Sequence, residues 1–363
     1  LKILFVAENL TYGGAPRRFV ELANEMSNRG AQVSILLLSG YNRLKNVIDK
    51  DIEIIEKSSS ITTSNWFKRN VFQRLKKIKI IRNELNISDY DIVISFNDMT
   101  NIDVLLLKYV KKFNIIISER SDPYYNNWYL KFLKKILFKK ANGVVFQTEG
   151  ARDFFDSKVK KNSTIIPNPI SSKNQFNRYD VQTKKIIVNV ARFWLYQKRQ
   201  DILLKAFKEF NKKYPSYKLV LFGDGPDENK IKKIIIELGL ENHVILAGVS
   251  DNLIEEIKIA EIFVLTSDFE GMPNALIEAM AVGLPVVSTD CSPGGSRYLI
   301  NNNLNGLLVD RGNHIEVCNA MLKIADNPDF AQHIGNNARK ILDTLNEEKI
   351  NNTWYEFLKS SVK

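Results

Sequence analysis

The chain has 363 residues, too many for one ordinary core and suited to two domains of about 150 to 200 residues each. Its 44% hydrophobic content supports real cores; two distant cysteines, Cys291 and Cys318, argue against a disulfide framework and for a reducing cytoplasm; and no signal peptide or apolar run of roughly 18 residues points into a membrane. The net charge of +11 lies wholly in residues 1 to 170, which carry 28 Lys+Arg against 17 Asp+Glu while the rest carries 24 of each, so one domain is expected to face an anionic surface or substrate.

The chain opens with the apolar run LKILFVAENL, then TYGGAPRRFVELANEMSNRGAQVSILLL. In that stretch Phe19, Val20, Leu22, Ala23 and Met26 keep helical spacing, and VSILLL reads as a buried strand. Strand, glycine loop, helix and strand make a βαβ unit. Buried runs recur at DIVISF, NIIIS and GVVFQT, so residues 1–168 are expected to form a doubly wound parallel sheet. The stretch 169–185 is polar, holds a proline and has no period, and reads as a linker. A second βα series runs over 186–345 through KIIVNVARF, KLVLFGDGP, HVILAGV, IFVLTS, PVVST and GLLVD, and a last helix in 346–363 is expected to cross back to the first domain. The fold class is therefore α/β, with two Rossmann-like domains whose parallel sheets face one another across a cleft.

The stretch SDFEGMPNALIEAMAVGLPVVST carries the chemistry of the second domain. A helix starting near Pro273 would aim the N–H groups of Asn274, Ala275 and Leu276, and the positive end of its dipole, at an anion such as a phosphate. Glu270 lies just before this seat and Glu278 inside the helix; carboxylates there suit sugar hydroxyls, one on a transferred sugar and one on a ribose. Eight residues at helical rise span roughly 12 Å, more than the about 5 Å of retaining or 6.5 to 9.5 Å of inverting glycosidase pairs. The bland alternative is a solvated helix face. Cations for a diphosphate come from ARFWLYQKRQ: Arg192 at a strand end and Lys198 at the start of a helix, with Arg199 a less certain neighbour. In FGDGP, Gly223 and Gly225 form a turn where backbone could approach a flat base. Gly13 and Gly14 lack the full G-x-G-x-x-G spacing, and no acid ends the second strand, which disfavours a dinucleotide dehydrogenase.

On EGMPNALIE, PVVST with SPGG, FGDGP, RFWLYQK and GGAPRR, in that combination, the chain resembles the family-four retaining glycosyltransferases of the GT-B fold, of the bacterial surface-polysaccharide type. The resemblance implies that Glu270 contacts donor-sugar hydroxyls and Glu278 the nucleotide ribose. It implies that Arg192 and Lys198 neutralise the diphosphate leaving group without a bound metal. Gly14 would let backbone approach the donor phosphates, and Asn274, Ala275 and Leu276 would supply main-chain donors. No cofactor is implied, since the nucleotide sugar, UDP-linked by family prevalence, is a co-substrate. Departures are Pro16 where the family often has an acid, Arg120 where many members have a histidine on the acceptor side, and an Arg192-to-Lys198 spacing one residue longer than the commonest. His243, His314 and His333 read as structural, and the Asp-x-Asp of DYDIVISF as a strand entry.

Two basic, aromatic stretches, 65–85 and 124–142, suit an anionic bilayer surface. Their plain alternative is ordinary half-buried helices. Neither offers the contiguous stacking groove that nucleic acid needs. The expectation is an enzyme peripheral on the inner face of the cytoplasmic membrane, with a nucleotide-diphosphate sugar donor and a lipid-linked sugar acceptor. Competing readings are a nucleotide-sugar 2-epimerase on the same fold, which needs no separate acceptor, and a non-catalytic nucleotide-sugar-binding protein, which the intact Glu270, Glu278, Arg192 and Lys198 argue against.

Overall fold

The computed structural model describes residues 1–11, 14–40, 42–58, 66–170 and 182–361. Most of the stretch read as a linker, and Gly13, lie outside the described residues. The chain divides into two compact units, Leu1–Asn168 with Glu348–Lys363, and Pro169–Glu347.

Among the described residues the first unit holds seven strands, β1 (Lys2–Ala7), β2 (Gln32–Leu37), β3 (Glu53–Glu56), β4 (Ile92–Phe96), β5 (Ile115–Glu119), β6 (Gly143–Phe146) and β7 (Ser163–Ile165). They form one sheet in the order β3-β2-β1-β4-β5-β6-β7, with every pair parallel. Helices cover both faces, which is why the inner strands are apolar almost throughout. Helix α1 (Gly14–Asn28) buries Phe19, Val20, Leu22, Ala23 and Met26 on one face. Helices α2 (Trp66–Ile87), α3 (Asp98–Leu107) and α4 (Trp128–Leu137) supply the core of the other, through Ile81, Leu85, Ile102, Leu105 and Leu137.

The C-terminal helix Glu347–Ser361 joins the α1 face. Its Ile350, Trp354 and Leu358, spaced one turn apart, sit in the same core as Phe5 and Phe19, and Trp354 stacks on Phe96 at 6.0 Å. Its Phe357 lies so close to Gly143 that a Cβ there would come within 2.8 Å of the ring.

The second unit holds β8 (Ile186–Val190), β9 (Lys218–Phe222), β10 (Val244–Gly248), β11 (Ile262–Leu265), β12 (Val286–Thr289) and β13 (Leu307–Val309), in the order β10-β9-β8-β11-β12-β13. Here too all pairs are parallel, with Ile262 opposite Ile187 and Phe263 opposite Val188.

In each sheet the chain builds outward from one strand and then returns to build on its other side. The reversals fall between β1 and β4 and between β8 and β11. At such a switch point the loops leaving the two carboxyl ends run in opposite directions, and a crevice opens between them.

Candidate functional site

At the β8/β11 switch point two loops converge. The loop after β8 carries Arg192, and it is locked in place by the loop after β9. Phe193 N donates to Asp224 O at 2.6 Å, Asp227 N to Phe193 O at 3.0 Å, and Leu195 N to the Asp227 carboxylate at 2.9 Å. Gly223 makes this approach possible: at φ +132° its hydrogen faces Ala191, and a Cβ would stand 2.1 Å from the Ala191 carbonyl oxygen. Gly225 is packed as tightly against Phe193. The turn read as room for a flat base thus has an internal reason for its glycines, which is to hold the Arg192 loop.

The Arg192 carbonyl accepts from Gln200 Nε2 at 2.9 Å, while its side chain is exposed. Among the described residues nothing forms a hydrogen bond or ion pair with its guanidinium. A fixed backbone and an uncommitted fork of donors are what a phosphate ligand needs.

Lys198 does not open a helix, as its sequence position suggested; it closes the short helix Leu195–Lys198. Arg199 then takes a left-handed conformation, φ +50°, and the helix Gln200–Lys213 starts afresh. Ion pairs hold that turn, since Arg199 reaches both oxygens of Asp201 at 3.0 Å and Asp268 at 2.9 Å. Those hydrogen bonds raise the Arg199 pKa above its ordinary value, and they commit the side chain to the fold.

The loop after β11 carries Glu270, which is 8% exposed. It forms an ion pair with Lys198 Nζ, accepts from Ser267 Oγ at 2.7 Å, and lies 3.5 Å from Gln197 Nε2. Gln197 also donates to Phe269 O at 2.9 Å, and Asp268 N donates to Gln197 O at 2.8 Å. From the other side Ser292 O accepts from Glu270 N at 2.8 Å. Gly295 then brings its helix so near that a Cβ would meet Gly271 O at 2.5 Å. The structure therefore brings Lys198 and Glu270 into direct contact, where the sequence suggested separate partners for each. Gln197 and Ser267, which hold Glu270, went unnoticed in the sequence because nothing in their spacing points at it.

The helix after this loop spans Asn274–Val282 and starts one residue after Pro273, which occupies the cap position. Leu276 corrects the expectation of three outward donors. Its N–H donates to Pro273 O at 3.1 Å and its side chain is fully buried. A first turn tightened in this way consumes one of the amide groups that a helix mouth would offer. Asn274, Ala275 and Glu278 are partly exposed and share one face at spacings of three and four.

In the first unit Gly14 begins α1 beside its own switch point, with no acid in the first turn. Arg18 of GGAPRR is buried and donates to Asn351 Oδ1 at 2.6 Å, so it ties α1 to the C-terminal helix. Arg120 follows β5. It donates to Ser118 Oγ at 2.8 Å and Asn168 Oδ1 at 2.5 Å, and its guanidinium lies 4.4 Å from the Phe96 ring centroid and 5.9 Å from that of Trp354. Burial, then Arg18, push its pKa below the ordinary value.

A network the sequence did not reveal joins the carboxyl ends of β4 and β5. Lys134 of α4, with no exposed surface, pairs with Asp98 at 2.8 Å and Glu119 at 2.7 Å, and Ser121 Oγ lies within hydrogen-bond reach of both carboxylates, at 3.0 and 2.8 Å. Burial and the Asp98 charge push the Glu119 carboxyl up to about 7. Burial is the largest influence on Asp98 and acts upward, but the Lys134 charge together with hydrogen bonds from Glu119, Lys134 and Ser121 holds that carboxyl below its usual range. Asp91 of the DYD run accepts from Lys2 N at 2.7 Å and marks the entry to β4. His243 immediately precedes β10, and His314 and His333 lie on C-terminal helices.

Two family profiles match the chain: Glycosyltransferase Family 4 over residues 12–173 and Glycosyl transferases group 1 over residues 171–341. An uncharacterized glycosyltransferase of Methanocaldococcus jannaschii is 32% identical over 282 residues, covering 70% of this chain and 68% of that one. A Campylobacter jejuni α-1,4-N-acetyl-D-galactosaminyltransferase, named for a diNAcBac-PP-undecaprenol-linked GalNAc substrate, is 25% identical over 99% of this chain and 98% of its own. Among solved structures, Anabaena HepE in complex with UDP and glucose superposes with a TM-score of 0.82 at 18% identity, over 99% of both chains. That likeness shows the fold, two Rossmann-like α/β domains of the GT-B type.

Proposed function

The chain belongs to the group 1, family 4 glycosyltransferases, and from that premise we propose that it is a retaining, metal-independent enzyme using a UDP-sugar. It moves a hexose or N-acetylhexosamine to a lipid-linked glycan acceptor at the anionic inner face of the cytoplasmic membrane, in surface-polysaccharide synthesis. The observation that carries the donor half is the β8/β11 switch point, where exposed Arg192 and the Lys198–Glu270 pair stand on loops pinned from both sides. The acceptor half draws support from the Campylobacter relative, whose name specifies an undecaprenol-linked substrate.

In the proposed reaction the bond from the anomeric carbon to the diphosphate oxygen breaks first, leaving a short-lived oxocarbenium ion. The acceptor hydroxyl attacks on the face the phosphate is leaving, and its proton passes to the departing phosphate oxygen. No side-chain base is then required. The protein contributes charge at the leaving group, through Arg192 and Lys198, and sugar-hydroxyl acceptors, through Glu270 for the donor sugar and Glu278 for the ribose. Asn274 and Ala275 line the helix mouth near the phosphates.

The test is nucleotide release from a panel of nucleotide sugars, with the product's anomeric configuration read by NMR. Arg192→Ala and Glu278→Ala should abolish release. Because the Arg192 side chain is exposed and its guanidinium has no partner among the described residues, its variant should melt with the wild type. Wild-type turnover in both variants would refute the site, and an inverted product would refute retention.

A further inference from the structure

Helix α4 places its charge and its rings on unexpected sides. Its inner side holds Leu137 and Lys134, both buried, the lysine neutralised by Asp98 and Glu119. Its outer side holds Trp128, Phe132 and Ile136, 80%, 60% and 40% exposed, with Tyr129 at 43%. Positions 128, 132 and 136 succeed one another every four residues and form one stripe. Tyr124 and Tyr125, in the short turn Pro123–Tyr125 ahead of the helix, extend the exposed aromatic surface. Water selects the opposite arrangement, lysine outside and tryptophan inside. The inner half of the reversal is compensated by two carboxylates; on the outer half Trp128, Phe132 and Ile136 remain exposed among the described residues.

The charge around the stripe identifies what covers it. Residues 124–142 contain five lysines and no acid; with Lys134 neutralised inside and Lys139 paired with Asp156, the charge left on this segment is that of Lys131, Lys135 and Lys140. Lys131 and Lys135 border the stripe on one flank of the helix, Lys135 with its amino group 4.8 Å from the Phe154 ring centroid, and long lysine stems let amino groups stand off from an apolar face. Rings at headgroup depth with lysines at the phosphates are the signature of a helix lying in the interface of an anionic bilayer.

We propose that α4 is the membrane-docking element of this protein, lying flat on an anionic bilayer with Trp128, Phe132 and Ile136 at the headgroup–acyl boundary. Lys134 then has a second consequence: it fixes the docked helix to the carboxyl ends of β4 and β5, so that the bilayer holds those strand ends at a set height. The inference rests on the proposed lipid-linked acceptor for its purpose but not for its evidence.

The experiment is flotation of the full chain with vesicles of phosphatidylcholine, with and without phosphatidylglycerol. The wild type should float with the anionic vesicles, and Trp128→Ser/Phe132→Ser should reduce the bound fraction about tenfold or more. The melting temperature should not move, since both side chains are mostly exposed. Lys131→Glu/Lys135→Glu should remove the preference for phosphatidylglycerol. Equal flotation of wild type and the serine variant, no flotation on either vesicle, or a solution dimer that the serine variant dissociates would each overturn the proposal. Nucleotide release in detergent-free buffer separates the two claims. Donor turnover without flotation sinks the docking helix alone, and flotation without donor turnover sinks the catalytic assignment alone.

Discussion

Replacing Lys198 by methionine should separate what its ion pair does for the fold from what the cation does for the reaction. The Lys198 side chain is 17% exposed and that of Glu270 9%. Breaking a buried pair costs about 3–5 kcal/mol when the remaining charge has no other partner. Glu270 keeps Ser267 at 2.7 Å, and the lysine end is partly wet, so the expected loss for Lys198→Met is about 2 kcal/mol. In a unit of this size that lowers the melting temperature by about 4–8 °C. Turnover should fall by about 100-fold or more, the usual consequence of removing one preorganised donor from a developing anion. In Lys198→Met/Glu270→Gln no buried charge is left over, and stability should return to within about 1 kcal/mol of wild type. Nucleotide release should not return. Circular dichroism melts and a coupled nucleotide-release assay on the three variants give both readouts. A double variant that regains turnover would show the pair to be a structural clasp and would remove Lys198 from the reaction.

Gly223→Ala should cost about 3 kcal/mol or more and abolish nucleotide release, because the new Cβ collides with the Ala191 backbone that supports Arg192; a soluble variant with normal activity would contradict this. Glu270→Gln should bind UDP about fivefold more tightly, since Lys198 no longer has to leave a carboxylate to reach a phosphate, while turnover falls; calorimetry showing weaker UDP binding would count against that account. Glu119 titrates near 7 in the folded chain against an ordinary 4.5, so its proton stabilises the fold fully below about pH 4.5, and that contribution is lost as pH rises through about 7. Glu119→Gln should flatten the fall in melting temperature across that window, and an unchanged profile would exclude the group as its source.

The central strands were legible because a strand covered on both faces is an apolar run, and DIVISF, NIIIS, IFVLTS and PVVST all became β-strands. The edge strands of the second sheet, β10 and β13, were read as well, from HVILAGV and GLLVD, but those of the first sheet were not. EIIE of β3 and STI of β7 border only one neighbour each, so nothing obliges them to be apolar. Local signals placed Glu270 in a loop ahead of a helix, but the pairing of Glu270 with Lys198 spans 72 positions and has no local signature. Leu276 shows the limit from the other side. Its place three residues after Pro273 promised an outward amide, and only the tightened first turn reveals that Pro273 has already taken it. Lys134 was indistinguishable in sequence from its four neighbours in the same lysine-rich segment, because what sets it apart is a pair of carboxylates on other elements.

The two cations at the β8/β11 crevice are held in different ways, and the difference suits the proposed donor site, which has to bind a diphosphate and then let it go. Arg192 is exposed, and its backbone is clamped by Gln200 and by the glycine turn, so its guanidinium is available at all times. Lys198 is committed to Glu270, so a phosphate has to compete for it. Competition leaves the carboxylate seeking a new hydrogen-bond donor at the moment the phosphate arrives, and sugar hydroxyls attached to that phosphate are such donors. A nucleotide alone brings the phosphate without the hydroxyls, and would leave Glu270 buried with only Ser267 and Gln197 for partners. In the proposed site, binding of the intact donor is then favoured over binding of the nucleotide product by the cost of that unpaired charge.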